Sequence, residues 1–320
     1  MYIAQAFKGL YDSWRYLVGT VIIFLAWQLI GAIPLGIAII AKIAIGGVEN
    51  MPTDIPQMIE LLGSNLFLFL MLLSFVFGLL GVLLTSKVLH KQSFISLTTV
   101  RKKIDWKRFW FIFILWGIIS SSFVLIDYFF FTPEDYVINF NLKPFLILCV
   151  IAILLIPLQT SFEEYFFRGY LMQGLGVLFK NKWAPLLITS IGFGLMHIFN
   201  PEVDKLGYMI MVYYIGTGLF LGILTLMDDG LELALGFHAA NNLFTALLVT
   251  ADWTAFQTHS ILKDLSDPSE IGIMEIFVPV FVIFPILLFI LAKKYRWTNW
   301  KDRLFGQVVE PIKTDNKISE

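Results

Sequence analysis

Three groups of polar residues interrupt apolar parts of this sequence. They are Glu163-Glu164-x-x-x-Arg168, Phe193-x-x-x-His197 and His238-x-x-x-Asn242. Carboxylates and imidazoles transfer protons, and an imidazole beside an amide can stabilise a developing negative charge. Because ionisable groups inside a membrane are energetically expensive, each of them needs a partner or a function. The three groups therefore predict a site of polar chemistry.

The Glu163-Glu164 pair also has a structural explanation. Thr160-x-x-Glu163 and Ser161-x-x-Glu164 both match a capping box, a pattern typical of the first turn of a helix. Glu164 and Arg168, four residues apart, can neutralise each other on one helix face. This pairing leaves Glu163 without a cation, and an uncompensated carboxylate in an apolar bundle is suited to proton transfer.

Either histidine alone is explained equally well as a packing residue that bonds a neighbouring carbonyl. Together they favour a site, because His238 and Asn242 stand four residues apart and present an imidazole and an amide on one helical face. The other two histidines, His90 and His259, fall in predicted loops, and we expect them to face solvent.

The elements that carry these groups are predicted to cross a membrane. Of the 320 residues, 58% are hydrophobic and 15% are charged, against about 25% charged in a soluble domain. The net charge of -1 gives no electrostatic reason to expect nucleic acid as a partner. Apolar runs near the length of about 20 residues that a spanning helix needs predict an all-α, polytopic bundle of about eight spans. The runs are 17–44, 62–86, 109–131, 144–162, 184–200, 206–227, 231–249 and 271–292.

Basic residues predict the orientation of this bundle. Of the 23 Lys and Arg residues, 19 lie in segments 1–16, 87–108, 163–183 and 293–320, and 3 lie in the alternate segments. The positive-inside rule then predicts that both termini lie in the cytoplasm. We expect the protein to lie in the inner or plasma membrane of the cell.

The same pattern divides the chain into four parts. They are N-terminal helices over 1–143, a core over 144–249 with all three polar groups, a last external loop and helix over 250–296, and a polar cytoplasmic tail over 297–320. We expect the tail to be disordered because of its mixed charge. Residues 53–60 predict a capped short helix on the outer surface.

A helical hairpin can bring the first two polar groups together. Glu163 lies 17 residues before Lys180, and His197 lies 15 residues after Lys182. An antiparallel hairpin that turns near 180–182 therefore places Glu163 and His197 at similar depth. A span over 144–162 that stood upright would instead put Glu163 at the cytoplasmic interface, so we expect a tilt or a break near Pro157.

In this order on successive apolar helices, the three groups resemble the motifs of the CAAX protease and bacteriocin-processing family. Its members are intramembrane endopeptidases of the type II CAAX prenyl endopeptidase kind, and the similarity covers residues 144–249. The resemblance implies no cofactor. It implies that Glu163 and His197 activate a water molecule, that His238 and Asn242 stabilise the oxyanion, and that Glu164, Arg168 and Phe193 are structural.

Several alternatives stay open at the level of the residues. Glu163, His197 and His238 are the right types for a zinc site with an open water position, which would make the protein a metalloprotease. The absence of an evident acceptor to orient either imidazole favours the metal-free reaction. A transporter could use the same groups as a proton relay, and an immunity protein could retain the fold without catalysis.

The substrate is defined only by class. We expect a peptide or a membrane-protein segment that enters from the bilayer or the cytoplasm, and nothing in the motifs selects for a prenyl group. A nucleophilic serine or cysteine is less attractive, because no Gly-x-Ser-x-Gly occurs and the single Cys149 has no histidine near it in sequence.

The predicted orientation can be checked by cysteine labelling in intact cells. In a Cys149→Ser background, a cysteine introduced as Ile95→Cys should resist an impermeant maleimide, because loop 87–108 is predicted to be cytoplasmic. Thr53→Cys, in a loop predicted to be external, is the positive control. Labelling of the cysteine at position 95 in intact cells would reverse the orientation.

Overall fold

The fold is a bundle of α-helices, known from a computed structural model that describes residues 1–46 and 51–311. Eight helices form its frame, and four of them contain a short π-helical stretch or bend. They are α1 (Ser13–Gly46), α2 (Ser64–Val88), α3 (Trp106–Phe131), α4 (Leu142–Phe179), α5 (Trp183–Leu195), α6 (Pro201–Asp228), α7 (Glu232–Leu248) and α8 (Ile273–Tyr295).

This arrangement confirms the predicted all-α membrane bundle. Six of the helices, α1, α2, α3, α4, α6 and α8, are long and apolar enough to cross a bilayer. The other two, α5 and α7, have 13 and 17 residues and coincide with the runs that contain His197 and His238. Large apolar side chains such as Leu17, Leu154 and Phe289 are exposed along the long helices, as expected for contact with lipid.

Short elements connect the helices at the two ends of the bundle. A three-stranded sheet joins β1 (Tyr136–Ile138), β2 (Val249–Ala251) and β3 (Leu262–Asp264) in the order β1-β3-β2. Strand β1 is antiparallel to β3, and β2 is parallel to it. Further helical turns span Ile3–Lys8, Ile55–Leu62, Phe94–Thr98, Pro133–Asp135, Pro268–Glu270 and Trp300–Phe305.

The short helix expected over 53–60 is present as Ile55–Leu62. It begins after Asp54, whose carboxylate accepts a hydrogen bond of 2.9 Å from the Gln57 backbone N–H. The prediction of a capped surface helix is therefore confirmed, with an aspartate as the cap. Residues 47–50 of the preceding loop lie outside the described residues.

Helix α4 carries Glu163 in its interior. It continues through Pro157, so of the tilt or break expected near that proline, the break does not occur. The capping-box interpretation is wrong as well, because the Thr160 hydroxyl donates to the Ile156 carbonyl of the preceding turn at 3.1 Å. A π-helical stretch, Tyr165–Leu171, follows the two glutamates directly. Such wide turns are frequent at functional sites in proteins.

The predicted hairpin between α4 and α5 is confirmed. Helix α4 ends at Phe179, and Lys180 takes a left-handed conformation with φ of 54°, which reverses the chain. Helix α5 begins three residues later at Trp183. The lengths of the two arms bring the residues after α5 back to the level of the middle of α4.

His90 does not face solvent, so that prediction is wrong. Its side chain is buried, with Nδ1 2.7 Å from the Leu10 carbonyl oxygen and Nε2 2.8 Å from the Tyr170 hydroxyl. Each of these two partners lies 80 residues away in the sequence, one before His90 and one after it. The residues around His90 therefore gave no sign of these contacts. His259 is half-buried.

The C-terminal segment is docked onto the turn between α4 and α5. The Lys182 ammonium group donates to the Asp302 carbonyl oxygen at 2.6 Å and to its carboxylate at 3.1 Å. The Val308 N–H bonds the Lys180 carbonyl at 3.0 Å, and the Val308 side chain is buried. The expectation of a disordered tail is therefore wrong for residues 297–311, and 312–320 lie outside the described residues.

One end of the bundle carries an ion-pair cluster at the start of α7. Arg101 bonds both Asp228 and Glu232, at 3.0 and 3.1 Å, and Arg108 also contacts Asp228. Arg303 contacts the neighbouring Asp229. The cluster marks the end of the bundle where most of the basic residues lie.

Small residues allow the helices around the polar groups to approach closely. A Cβ on Gly218 of α6 would lie 2.7 Å from the Ser190 carbonyl oxygen of α5. A Cβ on Gly236 of α7 would lie 2.4 Å from the Phe109 carbonyl oxygen of α3. Membrane helices associate by such close packing, because lipid offers no hydrophobic driving force between them.

Candidate active site

A fully buried ion pair lies at the centre of the site. Arg168 Nη1 donates to Glu164 Oε1 at 2.9 Å, and both side chains are 0% exposed. Arg168 Nη2 also donates to the Gly218 carbonyl oxygen at 3.1 Å. The spacing of four residues predicted this pairing. Its consequence is that Glu164 and Arg168 can stay charged inside an apolar bundle.

His238 lies between the two glutamates. Its Nδ1 is 2.8 Å from Glu164 Oε1, and its Nε2 is 3.4 Å from Glu163 Oε2. Since Glu164 is paired with Arg168 and accepts hydrogen bonds, the Nδ1 atom of His238 is the donor to Glu164. Nε2 therefore faces Glu163, whose Oε2 has no hydrogen-bond partner among the described residues.

His197 is oriented by a different acceptor. It lies just beyond the end of α5, and its Nδ1 donates to the Phe193 carbonyl oxygen at 2.9 Å. Its ring stacks on Tyr214 of α6, with 4.4 Å between centroids and 19° between the planes. With Nδ1 committed as the donor, Nε2 of His197 is left as an acceptor.

Both imidazoles thus have the acceptors that the sequence left unidentified. Glu164 of α4 accepts a hydrogen bond from His238 of α7, and the Phe193 carbonyl accepts one from His197 within a single helical turn. Because both acceptors are present, the orientation of the imidazoles does not favour the metal-free reaction over a zinc site. Within the described part of the chain, no three His, Cys, Asp or Glu side chains are grouped as a metal site requires.

Asn242 belongs to a chain of amides. Its Nδ2 donates to Gln159 Oε1 at 3.1 Å, and its Oδ1 accepts from Asn241 Nδ2 at 3.2 Å. Asn241 is fixed in turn by the Trp116 indole N–H at 3.1 Å. The Asn242 amide is therefore held in one orientation, with its second N–H not engaged by Gln159.

Phe193 connects the parts of the site by packing. Its ring lies 5.0 Å from that of His197 and 5.7 Å from that of His238, measured between centroids. The Arg168 guanidinium lies over the same ring at 4.3 Å. Such a cation–π contact helps to hold a desolvated guanidinium, so the structural role expected for Phe193 has a physical basis.

A cavity of about 380 Å³ opens beside these groups. Glu163, His197 and Asn242 line it, together with Phe193. Glu164, Arg168 and His238 do not line it and lie behind its wall, where His238 contacts Glu163. The cavity extends past the C-terminal end of α7 to residues 249–256, away from the end that carries the ion-pair cluster.

Sequence reasoning missed three residues of the site. Gln159 stands one turn before Glu163, so helical spacing on its own could have placed it on the same face. Asn241 is adjacent to Asn242, and it offered no separate signal. Tyr214 contacts His197 from α6, and only the packing of helices reveals that contact.

Comparisons with known proteins identify relatives of this chain. Residues 142–244 match the family described as type II CAAX prenyl endopeptidase Rce1-like. An uncharacterized protein of Bacillus subtilis (strain 168), YyaK, is 31% identical over 244 residues, which cover 76% of this chain and 80% of the relative. No solved structure matches the chain.

The buried ion pair predicts a particular pattern of stabilities. Arg168→Met should lower the folded yield and destabilise the protein by about 3–5 kcal/mol, because it leaves Glu164 buried without its cation. The double variant Glu164→Gln and Arg168→Met removes both charges and should recover part of this loss. Thermal unfolding of the purified proteins in detergent measures both effects.

A matched exposed pair provides the control for this experiment. Asp12 is exposed and forms an ion pair of 2.8 Å with Arg15, and Asp12→Asn, which leaves the bond of Arg15 to the Leu89 carbonyl in place, should have an effect below about 1 kcal/mol. If the double variant at 164 and 168 unfolded at as low a temperature as Arg168→Met, the unpaired charge of Glu164 would not explain the loss of stability.

Proposed function

From the premise that the chain belongs to the Rce1-like family of type II CAAX prenyl endopeptidases, we propose that it hydrolyses a peptide bond within the membrane by a glutamate-activated water. Glu163 and His197 activate the water, and His238 and Asn242 stabilise the oxyanion. The observation that carries the proposal is geometric. Glu163, His197 and Asn242 line one cavity, and His238 contacts Glu163 from behind its wall.

Glu163 is suited to act as the base because no Lys or Arg among the described residues forms an ion pair with it. Glu164 is bound to Arg168, whereas the contact of Glu163 is the titratable imidazole of His238. A water in the cavity can donate one hydrogen to Glu163 and the other to Nε2 of His197. Both acceptors orient the water, and Glu163 removes its proton as the oxygen attacks the carbonyl carbon.

The proposed role of His238 as a donor depends on both of its ring nitrogens. Because Nδ1 donates to Glu164, Nε2 can donate to the substrate only when both nitrogens carry a proton. With the ring held by Glu164, the Nε2–H of His238 is the proposed donor to a peptide oxygen that approaches the cavity wall beside Glu163. The free N–H of Asn242 is the second donor, and two such donors in a cavity shielded from water stabilise a tetrahedral intermediate.

The second half of the reaction returns the proton. The tetrahedral intermediate collapses, the C–N bond breaks, and Glu163 delivers the proton it took from water to the leaving nitrogen. One water is consumed, one carboxyl group and one amine are formed, and Glu163 is again a carboxylate. No covalent link between the protein and the substrate is needed.

The reaction as proposed uses no metal. Zinc bound by Glu163, His197 and His238 is the competing mechanism, and in it Nδ1 of each histidine would keep its present acceptor. The 3.4 Å between His238 Nε2 and Glu163 Oε2 suits two ligands of one tetrahedral zinc as well as a direct contact, so metal content has to separate the two mechanisms.

The predicted orientation has a consequence for the substrate. The cavity wall includes Ile55 and residues 249–256, from segments predicted to be external. With both termini in the cytoplasm, the cavity therefore opens toward the exterior, and the substrate segment enters from that side or from the bilayer. Of the two routes expected from the sequence, entry from the bilayer fits this position of the cavity and entry from the cytoplasm does not. The protein would then act in the inner or plasma membrane on extracytoplasmic segments.

Removal of the base tests the proposal. In cells that carry Glu163→Gln in place of the wild-type protein, uncut membrane proteins or peptides should accumulate and the corresponding new N-termini should disappear. The amide keeps the shape of the side chain, so the amount of folded protein should be nearly unchanged. Mass spectrometry of N-terminal peptides from isolated membranes measures the change.

Glu60→Gln is the matched control, because Glu60 is an exposed carboxylate on the short helix Ile55–Leu62. Its membranes should give the wild-type set of N-termini. Identical sets from Glu163→Gln and wild-type membranes would refute the assignment of the base. They would also favour the transporter or immunity alternatives.

Chelation separates the two enzymatic mechanisms. Purified protein should keep its activity after exhaustive chelation, and Asn242→Ala should remain folded while its rate falls about 100- to 1000-fold through loss of an oxyanion donor. Peptide cleavage and metal content by elemental analysis are measured on the same samples. One tightly bound zinc per chain, with activity lost on its removal and regained on its return, would establish the metalloprotease instead.

A further inference from the structure

The charges that line the cavity all have one sign. Its wall contains the carboxylates of Glu163, Glu202 and Asp264, and none of its described lining residues is Lys or Arg. The proposed reaction uses Glu163 alone. The other two acids therefore have no part in the chemistry, although they face the same space.

Glu202 has incomplete hydrogen bonding, as Glu163 does, but it has no part in the proposed reaction. It lies in the first turn of α6, and its Oε1 accepts a hydrogen bond of 2.9 Å from the Ala255 backbone N–H. Its Oε2 is buried and has no hydrogen-bond partner among the described residues. No cation of the described chain lies within ion-pair distance of it, and nearby Lys205 is exposed to solvent.

Glu202 is half-buried, and its shielded Oε2 is unfavourable without a cation or a hydrogen bond, so the protein gains when a ligand supplies the missing charge. Trp253, whose indole nitrogen also lacks a partner, lines the cavity next to the loop that bonds Glu202. The rest of the wall is largely apolar, with Phe193, Met196 and Phe256 among its members. This combination fits an apolar segment that carries one positive charge.

We propose that Glu202 binds a cationic group of the substrate and so selects the segment that is cleaved. The group is a Lys or Arg side chain or the free α-amino group of a peptide. The inference rests on the proposed function, because it names the class of substrate for that site. Glu202 acts here as a specificity residue, five positions after His197 in the chain and on the wall of the same cavity.

The test compares peptides that differ by one charge. Apolar, internally quenched peptides carry a single Lys at successive positions, or norleucine in its place, and each is made with a free or an acetylated N-terminus. Wild-type protein should cleave the best Lys peptide or the free-amine peptide with a kcat/KM about 10- to 100-fold above its neutral partner, as expected for a hydrogen bond to a charged group. The two arms distinguish a side-chain cation from an α-amino group.

Glu202→Gln keeps an oxygen for the Ala255 N–H and removes the charge. It should cleave charged and neutral peptides at similar rates, whereas Asp204→Asn, at an exposed position of the same turn, should retain the wild-type preference. Wild-type protein that cleaves both peptides of every pair equally would overturn the inference and leave the proposed function intact.

A binding measurement distinguishes failure of the inference from failure of the proposed function. In the Glu163→Gln background, the charged peptide should raise the unfolding temperature more than its neutral partner, and addition of Glu202→Gln should abolish that difference. If the difference is present but no peptide is cleaved by wild-type protein, the proposed hydrolysis fails and the cation subsite stands. If the difference is absent, the subsite is refuted.

Discussion

The ion pair between Glu164 and Arg168 is the constraint on which the rest of the site depends. A charge in the interior of a membrane bundle persists only when it is paired and hydrogen-bonded, and this pair is completely buried. The Gly218 carbonyl accepts from Nη2 and the face of Phe193 contacts the guanidinium, whereas Arg168 Nε has no hydrogen-bond partner among the described residues. Glu164 is thereby fixed and can orient His238.

The orientation of His238 then decides what Glu163 can do. Because Nδ1 is held by Glu164, the other ring nitrogen faces Glu163, and the two adjacent glutamates acquire different environments. One carboxylate has a permanent cation behind the cavity wall. The other has a titratable partner and lines the cavity. In the proposed reaction, these two residues of identical chemistry therefore take one structural and one catalytic role.

Backbone geometry makes this arrangement possible. Arg168 reaches the carbonyl of Gly218 only because α4 and α6 lie close together, and Gly218 itself is packed against the backbone of α5. The π-helical stretch that begins at Tyr165 widens the turn between Glu164 and Arg168. Any side chain larger than hydrogen at Gly218 would have to displace the backbone at Ser190.

The local features of the fold and site could be predicted from the sequence, because they depend on spacing. Apolar run lengths indicated the helices, and intervals of four residues indicated the Glu164–Arg168 pair and the shared face of His238 and Asn242. The hairpin between α4 and α5 was predicted because Glu163 and His197 lie at similar distances along the chain, 17 and 15 residues, from Lys180 and Lys182 of the turn.

Contacts between distant segments could not be predicted, because no periodic pattern encodes them. His90 was assigned to solvent although its partners lie 80 residues away on both sides. The C-terminal segment was assigned to disorder although Asp302 bonds Lys182. The break expected at Pro157 did not occur because α4 continues through it. A proline disfavours helix locally, and packing of the surrounding bundle outweighs that preference.

The central claim is that Glu163 activates water and does not itself attack the substrate. It is tested most directly by a single turnover in water enriched in oxygen-18, with a peptide that the wild-type protein cleaves, followed by mass spectrometry of the product and of the protein fragment that contains Glu163. The account predicts one heavy oxygen in the new carboxyl group of the product and none in the Glu163 side chain. Heavy oxygen in the Glu163 carboxylate would reveal a covalent anhydride and contradict the account.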